Sequence, residues 1–234
     1  MIFKKELANE LFVFLLASVF MAFIFAIKLK WPVLTLEPLA ILLGFLYALI
    51  MFALFIGVQK LVAFALDCRT TTKLLSFRRY WFKPHSIFPF EFPAWFFLPV
   101  ILALVGIKWP AILNFDVEPK ITHVRQRWQN ITESDIGKIA ISGPLAVMAL
   151  GILMRVFGAN EFAFLCVLFT FAALIPIGMG FKLFNSSRIL WFFSFVFSLA
   201  VLLLINIQSV FAVILTAVIF AALATISYYV LYEK

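Results

Sequence analysis

Residues 36–66 read LEPLAILLGFLYALIMFALFIGVQKLVAFAL, and this apolar run decides the class of fold. A helix that crosses a bilayer needs about 20 predominantly apolar residues, and the run is longer than that. The composition of the whole chain agrees, because 65% of its residues are hydrophobic and 13% are charged, whereas about a quarter of the residues in a typical soluble domain are charged. The sequence therefore predicts an all-α polytopic membrane protein.

The same criterion predicts six transmembrane helices in total. The two spans nearest the C-terminus are separated by a polar turn that contains Asn206, Gln208 and Ser209. Between the second and third spans lies the longest polar region, residues 67–138, which is expected to be cytoplasmic or interfacial. Residues 1–234 are interpreted as a single membrane domain. The predicted spans are residues 11–27, 36–66, 139–157, 162–181, 189–205 and 210–231.

A further apolar segment, residues 93–107, is about 15 residues long, which suits a re-entrant or interfacial segment better than a full crossing. If it does not cross, nearly all the basic residues share one side with both termini, and only Lys28, Lys30 and Arg155 face the other side. If it crosses, the two sides nearly balance. The positive-inside rule therefore favours six spans, with both termini in the cytoplasm. The expected location is the cell membrane. Residues 86–108 are accordingly expected to be re-entrant or extended.

The start of the polar region combines basic and aromatic residues, a composition suited to lying against anionic lipid headgroups. A basic loop is also expected from topology alone, so a specific lipid site and an ordinary cytoplasmic loop both stay open. The candidate lipid contacts are Arg69, Lys73, Arg78, Arg79 and Lys83.

Two local patterns predict backbone structure beyond this basic stretch. Residues 87–93 read IFPFEFP, and their prolines forbid a regular helix and favour extended chain. Thr132, followed by Glu133 and Asp135, predicts the N-cap and acidic first turn of the third transmembrane helix.

Two later stretches resemble the site-2 protease family of intramembrane zinc metalloproteases. Residues 139–146, IAISGPLA, look like its Gly-Pro-Leu-Ala-Asn element and contain Gly143 and Pro144. The stretch from Pro176 to the NSSRIL at residues 185–190 looks like its Leu-Pro-x-x-x-Leu-Asp-Gly-x-Arg-Ile-Leu element. The proline-rich residues 86–93 are similar to an insert that the family carries between these helices. The resemblance implies a similar arrangement of helices in the membrane.

The residues that would carry the family's chemistry are replaced. In its zinc helix, His-Glu-x-x-His supplies two zinc ligands and a glutamate that handles the proton. The matching positions here are Gln59, Lys60 and Ala63, and the family's aspartate ligand corresponds to Asn185. Zinc sites in proteins use cysteine, histidine and carboxylate ligands. The resemblance therefore implies a catalytically inactive relative with no catalytic residues, metal or cofactor.

Lys60 has two interpretations. It is the only charge well inside a predicted span, and intramembrane charges are costly and often functional. Its long side chain can instead carry the ammonium group to the nearby cytoplasmic surface. If the family's arrangement holds, Lys60 and Asn185 would approach each other and could join two helices through a hydrogen bond.

The resemblance also suggests a binding function. Proteins of this family receive a transmembrane segment of another protein and hold it as extended chain, so we expect this chain to bind or stabilise such segments. The alternatives are a structural subunit of a membrane complex and a lipid-binding or transport-type membrane protein, since fold does not fix function. The expected partners are the lipid bilayer with its anionic headgroups and transmembrane segments of other proteins. No nucleic acid is expected.

Overall fold

The computed structural model describes residues 2–30, 33–36, 38–79, 87–119, 131–207 and 209–232. For some of these, including Arg78 and Arg79, only the backbone is described. The described chain is mostly helical, as the sequence predicts. The helices are α1 (Ile2–Ala26), α2 (Pro38–Ala65), α3 (Ala94–Leu104), α4 (Glu133–Val156), α5 (Asn160–Leu174), α6 (Met179–Ser186), α7 (Arg188–Leu204) and α8 (Val210–Tyr232).

Short strands accompany the helices, so the prediction of an all-α fold holds only for the bulk of the described chain. The sequence predicted extended backbone for residues 87–93, and β5 confirms it. The pairs are β1 with β2, β3 with β6, and β4 with β5, each a two-stranded sheet. The strands are β1 (Ile27–Lys30), β2 (Val33–Leu36), β3 (Cys68–Leu74), β4 (Phe77–Arg79), β5 (Ile87–Phe92) and β6 (Leu113–Pro119).

Every predicted span falls on a helix or a bent pair of helices. By length and composition, α1 (from Ala8), α2, α4 and α8 (to Leu231) can each cross a membrane. The predicted span 162–181 corresponds to α5 and α6, which are bent by 57° at a short break. The predicted span 189–205 corresponds to α7, which is 17 residues long. Residues 93–107 contain α3, whose 11 residues are too few for a crossing as a single helix.

The chain divides into two compact units. The first contains Met1–Phe52 and Thr71–Asp116, and the second contains Ala53–Thr70 and Val117–Lys234. The boundary between the two units falls inside helix α2, between Phe52 and Ala53. The assignment of residues 1–234 to a single membrane domain stays a prediction. The positions compared with the protease family's zinc site and with its Gly-Pro and Pro elements lie in the second unit, which includes the end of α2 and helices α4 to α8, whereas the proline-rich residues 86–93 belong to the first unit.

Helix α4 begins as its sequence predicts. Thr132 has extended backbone, with φ −79° and ψ 150°, and its hydroxyl oxygen accepts a hydrogen bond from the backbone N–H of Asp135 at 3.2 Å. The first turn carries Glu133 and Asp135, whose negative charges interact favourably with the positive end of the helix dipole. The N-cap prediction is therefore confirmed.

The break between α5 and α6 has a local cause. Pro176 lacks a backbone N–H, and Gly178 adopts a positive φ of 68° that other residues disfavour. The carbonyl oxygen of Leu174, at the end of α5, accepts a hydrogen bond from the indole Nε1 of Trp191 at 2.8 Å. A side chain of α7 thus satisfies a backbone group that the break releases, as an apolar environment requires.

Helices α4 and α5 approach closely through small residues. A Cβ atom placed on Gly151 would lie 2.8 Å from the Cβ of Cys166 and 3.0 Å from the carbonyl oxygen of Ala163. Further along the pair, the hydroxyl of Thr170 donates a hydrogen bond to the carbonyl oxygen of Pro144 at 2.9 Å. Small residues and interhelical hydrogen bonds of this kind hold membrane helices together, because lipid provides no hydrophobic driving force between them.

Replacing Gly151 by leucine should destabilise this helix pair, since the added side chain overlaps α5. We expect a loss of about 1–3 kcal/mol, measured as a lower midpoint of thermal unfolding in detergent. Gly57→Leu is the matched control, because a Cβ on Gly57 meets nothing within 4 Å. Equal midpoints for the two variants would contradict the close approach at Gly151.

Candidate functional site

The first matching position of the protease family lies at a junction of three helices. Gln59, on α2, is 2% exposed. Its side-chain amide Nε2 donates a hydrogen bond to the thioether sulfur of Met179, the first residue of α6, at 3.3 Å. The third helix is α4, which reaches Gln59 through Gly143. The structure thus brings α2, α4 and α6 together at Gln59.

Gly143 makes room for the junction. A Cβ atom added there would lie 2.6 Å from the ring of Phe55 and 2.8 Å from the Cγ of Gln59. The ring of Phe55 in turn packs edge-to-face on Phe169 of α5, with ring centroids 5.1 Å apart. The glycine of the Gly-Pro element therefore permits α2 and α4 to approach closely, which is a physical reason for this residue type at this position.

The other matching positions differ in burial. Ala63 is buried on α2, and Lys60 is half-buried beside Gln59. Asn185 is exposed near the end of α6. The proposed contact between Lys60 and Asn185 stays a prediction. Pro144 is buried within α4, and Pro176 is exposed at the break between α5 and α6.

The residues at this junction do not fit the zinc ion that the resemblance would imply. The amide of Gln59 already bonds to a thioether, Ala63 has no donor atom, and Lys60 adds a cation where an anionic or neutral ligand is needed. Among the described residues, no group of three or more histidine, cysteine or acidic side chains is placed to hold a metal ion. His85 and His123 lie outside the described residues.

Cys68 follows the end of α2 and is buried. Burial raises the pKa of its thiol, and the nearby carboxylates of Asp135 and Asp67 raise it further. The thiol therefore stays protonated at neutral pH, a form that is a poor nucleophile and a poor metal ligand. Its sulfur donates a hydrogen bond to the carbonyl oxygen of Leu66 at 3.3 Å.

The candidate lipid contacts are only partly described. Arg69 is half-buried in β3. Lys73 is exposed and forms an ion pair with Asp116 at 2.6 Å, so part of the expected positive charge is compensated. Arg78 and Arg79 lie in β4, where only their backbone is described. Lys83 lies outside the described residues.

Sequence reasoning missed Glu10. This carboxylate lies within the apolar window Ala8–Ala26 of α1, one residue before the predicted span. It accepts a hydrogen bond from the backbone N–H of Thr72 in β3 at 3.1 Å. The sequence feature that could have identified Glu10 is an acidic residue directly before an apolar run. A charge beside a membrane span is costly without a partner, so such a residue is expected to have one.

An apolar cavity lies elsewhere in the second unit. It holds about 400 Å³ between α7 and α8. Its lining is apolar and includes Ala200, Leu203, Phe220 and Leu223. Thr216 also lines it, but the Thr216 hydroxyl donates a hydrogen bond to the carbonyl oxygen of Ala212. None of the matching positions of the protease family contributes to this cavity.

A packing role for Gln59 predicts which substitutions it tolerates. Gln59→Leu keeps the volume of the side chain and loses one weak hydrogen bond, so the free energy of unfolding should change by less than about 1.5 kcal/mol. Gln59→Glu places a carboxyl group in the same closed space and should cost about 1–3 kcal/mol or more. Thermal unfolding in detergent compares the two variants. A leucine variant less stable than the glutamate variant would contradict the packing role.

The side chains of Gln59, Lys60 and Ala63 predict how much zinc the purified protein contains. Protein purified in mild detergent without chelator should contain far less than one zinc ion per chain by elemental analysis. Zinc at one ion per chain would overturn this assignment of the site. The matched test is then Cys68→Ser, which would lower the zinc content if the ion used the thiol near the end of α2.

No protein-family model, curated protein or solved structure matches this chain.

Proposed function

We propose that this chain is a catalytically inactive, site-2-protease-like membrane protein that binds or stabilises transmembrane segments of other proteins. The proposal includes six spans, with α5 and α6 together forming one of them and α7 another, and both termini in the cytoplasm. Inactivity is supported by the residue types at the junction, where a glutamine, a lysine and an alanine stand in place of the family's ligands and base.

The observation that carries the binding role is an exposed amide on an apolar surface. Phe181 and Asn185 lie four residues apart on α6, and both are exposed. The opposite face of α6 is buried through Met179, Gly180 and Leu183. Just beyond the end of α6, Ile189 is also partly exposed. Helix α6 therefore exposes the amide of Asn185 beside the aromatic ring of Phe181, while the polar Lys182 and Ser186 of the same helix are half-buried.

In a membrane, such an amide favours association with another helix. Asparagine side chains hydrogen-bond across transmembrane helices, and these bonds contribute about 0.6 kcal/mol on average and up to about 1.7 kcal/mol. The exposed side chains of Phe181 and Ile189 can pack on the apolar side chains of a partner segment. The bend before α6 exposes this surface at a broken span, where a partner segment can approach without displacing a long, straight helix.

Site-specific photo-crosslinking in native membranes tests the binding role. A photo-reactive amino acid at Phe181 should crosslink to membrane proteins, with the crosslinked peptide mapping to their transmembrane segments. Adding Asn185→Leu should lower the yield about threefold, which corresponds to the loss of about 0.6 kcal/mol. Asn185→Gln keeps the amide and should retain the yield.

Phe211 on α8 provides the control position, since it is 78% exposed and lies far along the chain from α6. Equal yields at Phe181 and Phe211, or crosslinks at Phe181 to lipid alone, would rule out a specific segment-binding surface on α6. The second result would favour the lipid-binding alternative.

A further inference from the structure

Helices α7 and α8 pack against each other and leave a cavity between them. Val201 of α7 and Ala217 of α8 are fully buried in one apolar cluster. The neighbouring residues Ala200 and Leu203 of α7 line the apolar cavity of about 400 Å³, which we name the α7–α8 cavity. Both helices belong to the second unit, so the cavity lies within one compact part of the chain.

The α7–α8 cavity is elongated along α8. On this helix it is lined by Thr216, Ile219, Phe220 and Leu223, which have the i, i+3, i+4, i+7 spacing of one helical face. From the first of these residues to the last the helix rises about 10 Å. A volume of about 400 Å³ over that length gives a mean cross-section of about 40 Å². The cavity is therefore a narrow trough parallel to the helix axis.

The lining of the α7–α8 cavity selects against polar ligands. Thr216 is the one polar residue among those that line it. Its hydroxyl donates a hydrogen bond to the carbonyl oxygen of Ala212 at 2.6 Å, which uses the only proton that the hydroxyl can donate. A bound water needs two to four polar partners, and this lining does not provide them. The cavity therefore suits hydrocarbon.

The position along α8 places the cavity at the depth of lipid tails. Helix α8 is long and apolar enough to cross a membrane. Thr216 and Leu223 lie about 9 Å and 20 Å along the helix from Val210, within a hydrocarbon core of about 30 Å. Leu203, Phe220 and Leu223 are also exposed, so the cavity is open to the surrounding lipid. At this depth the hydrocarbon part of a lipid can enter it from the side.

The width of the cavity excludes a helix as its occupant. An α-helix with its side chains is about 10–12 Å wide, which corresponds to a cross-section of about 80 Å² or more. This is about twice the mean cross-section of the α7–α8 cavity. A transmembrane segment or a second copy of this chain could insert single side chains, but a single hydrocarbon chain can follow the whole length of the trough.

We propose that the α7–α8 cavity is a binding site for one acyl chain of a membrane phospholipid. Contacts along the whole trough hold the chain more firmly than the outer surface of α8 holds ordinary boundary lipid, because each close carbon contact adds dispersion energy. The bound chain thereby completes the packing of the α7–α8 pair. This inference concerns α7 and α8 and does not depend on the proposed binding of transmembrane segments at α6.

Native mass spectrometry of protein extracted from membranes in mild detergent tests the site. The chain should retain one phospholipid through purification. Thr216→Phe fills the cavity and should lower the retained phospholipid about tenfold, as a loss of about 1.4 kcal/mol in binding would. Thr225→Phe is the matched control on the same helix. The hydroxyl of Thr225 also bonds to a backbone carbonyl oxygen, that of Ala221 at 2.7 Å, but Thr225 does not line the cavity.

A second measurement uses the intact cavity and needs no filling variant. A photo-reactive leucine analogue at Leu203 should crosslink to the phospholipid that the purified protein retains. The same analogue at Phe211 should not, because Phe211 is exposed on α8 and lies outside the cavity.

Three results would overturn the acyl-chain site. The first is purified protein that carries detergent alone and no phospholipid. The second is equal retention by Thr216→Phe and Thr225→Phe. The third is a crosslinking yield at Leu203 no higher than that at Phe211, which would identify the retained molecule as ordinary boundary lipid.

Discussion

The second unit depends on the close approach of other helices to α4. A Cβ atom would collide with Ser186 of α6 at Gly137, with Phe55 of α2 at Gly143 and with Cys166 of α5 at Gly151. In lipid, where apolar surface gains nothing by leaving the solvent, close packing and hydrogen bonds must hold helices together. The three glycines of α4 permit close packing against α6, α2 and α5. The close approach of α2 at Gly143 places Gln59 against α4.

This arrangement limits which side chains the junction at Gln59 can accept. At the junction, Gln59 occupies closed space between α4 and α6, and its hydrogen bond to Met179 satisfies one donor of the amide. A buried polar group without a partner would cost about 1–3 kcal/mol. Substitutions at such a place are therefore limited by volume and hydrogen bonding, even where no reaction constrains them. The exposed Asn185, by contrast, is open to selection for contacts with other molecules.

The first unit follows a different rule. Its extended segments cannot satisfy their backbone groups internally as a helix does, so at membrane depth they need protein, paired strands or water beside them. Glu10 and Lys108 each bond to backbone atoms in this unit, one near the start of α1 and one at its end. Both are charged residues in or beside apolar segments, and in each case the charge has a defined structural partner.

The sequence by itself determined the membrane class, the approximate positions of the apolar helices, the N-cap at Thr132 and the extended backbone near residue 90. These depend on local composition, on run length and on proline, which act within a few residues of the chain. Only the tertiary structure decided that Gln59 lies beside Gly143 and Met179, that Glu10 accepts a hydrogen bond from β3, and that Lys108 reaches the end of α1. Such contacts join residues separated by 62 to 120 positions, and no local pattern encodes a distance of that kind. They arise because backbone groups and charges within an apolar environment must find partners wherever the packed helices place them.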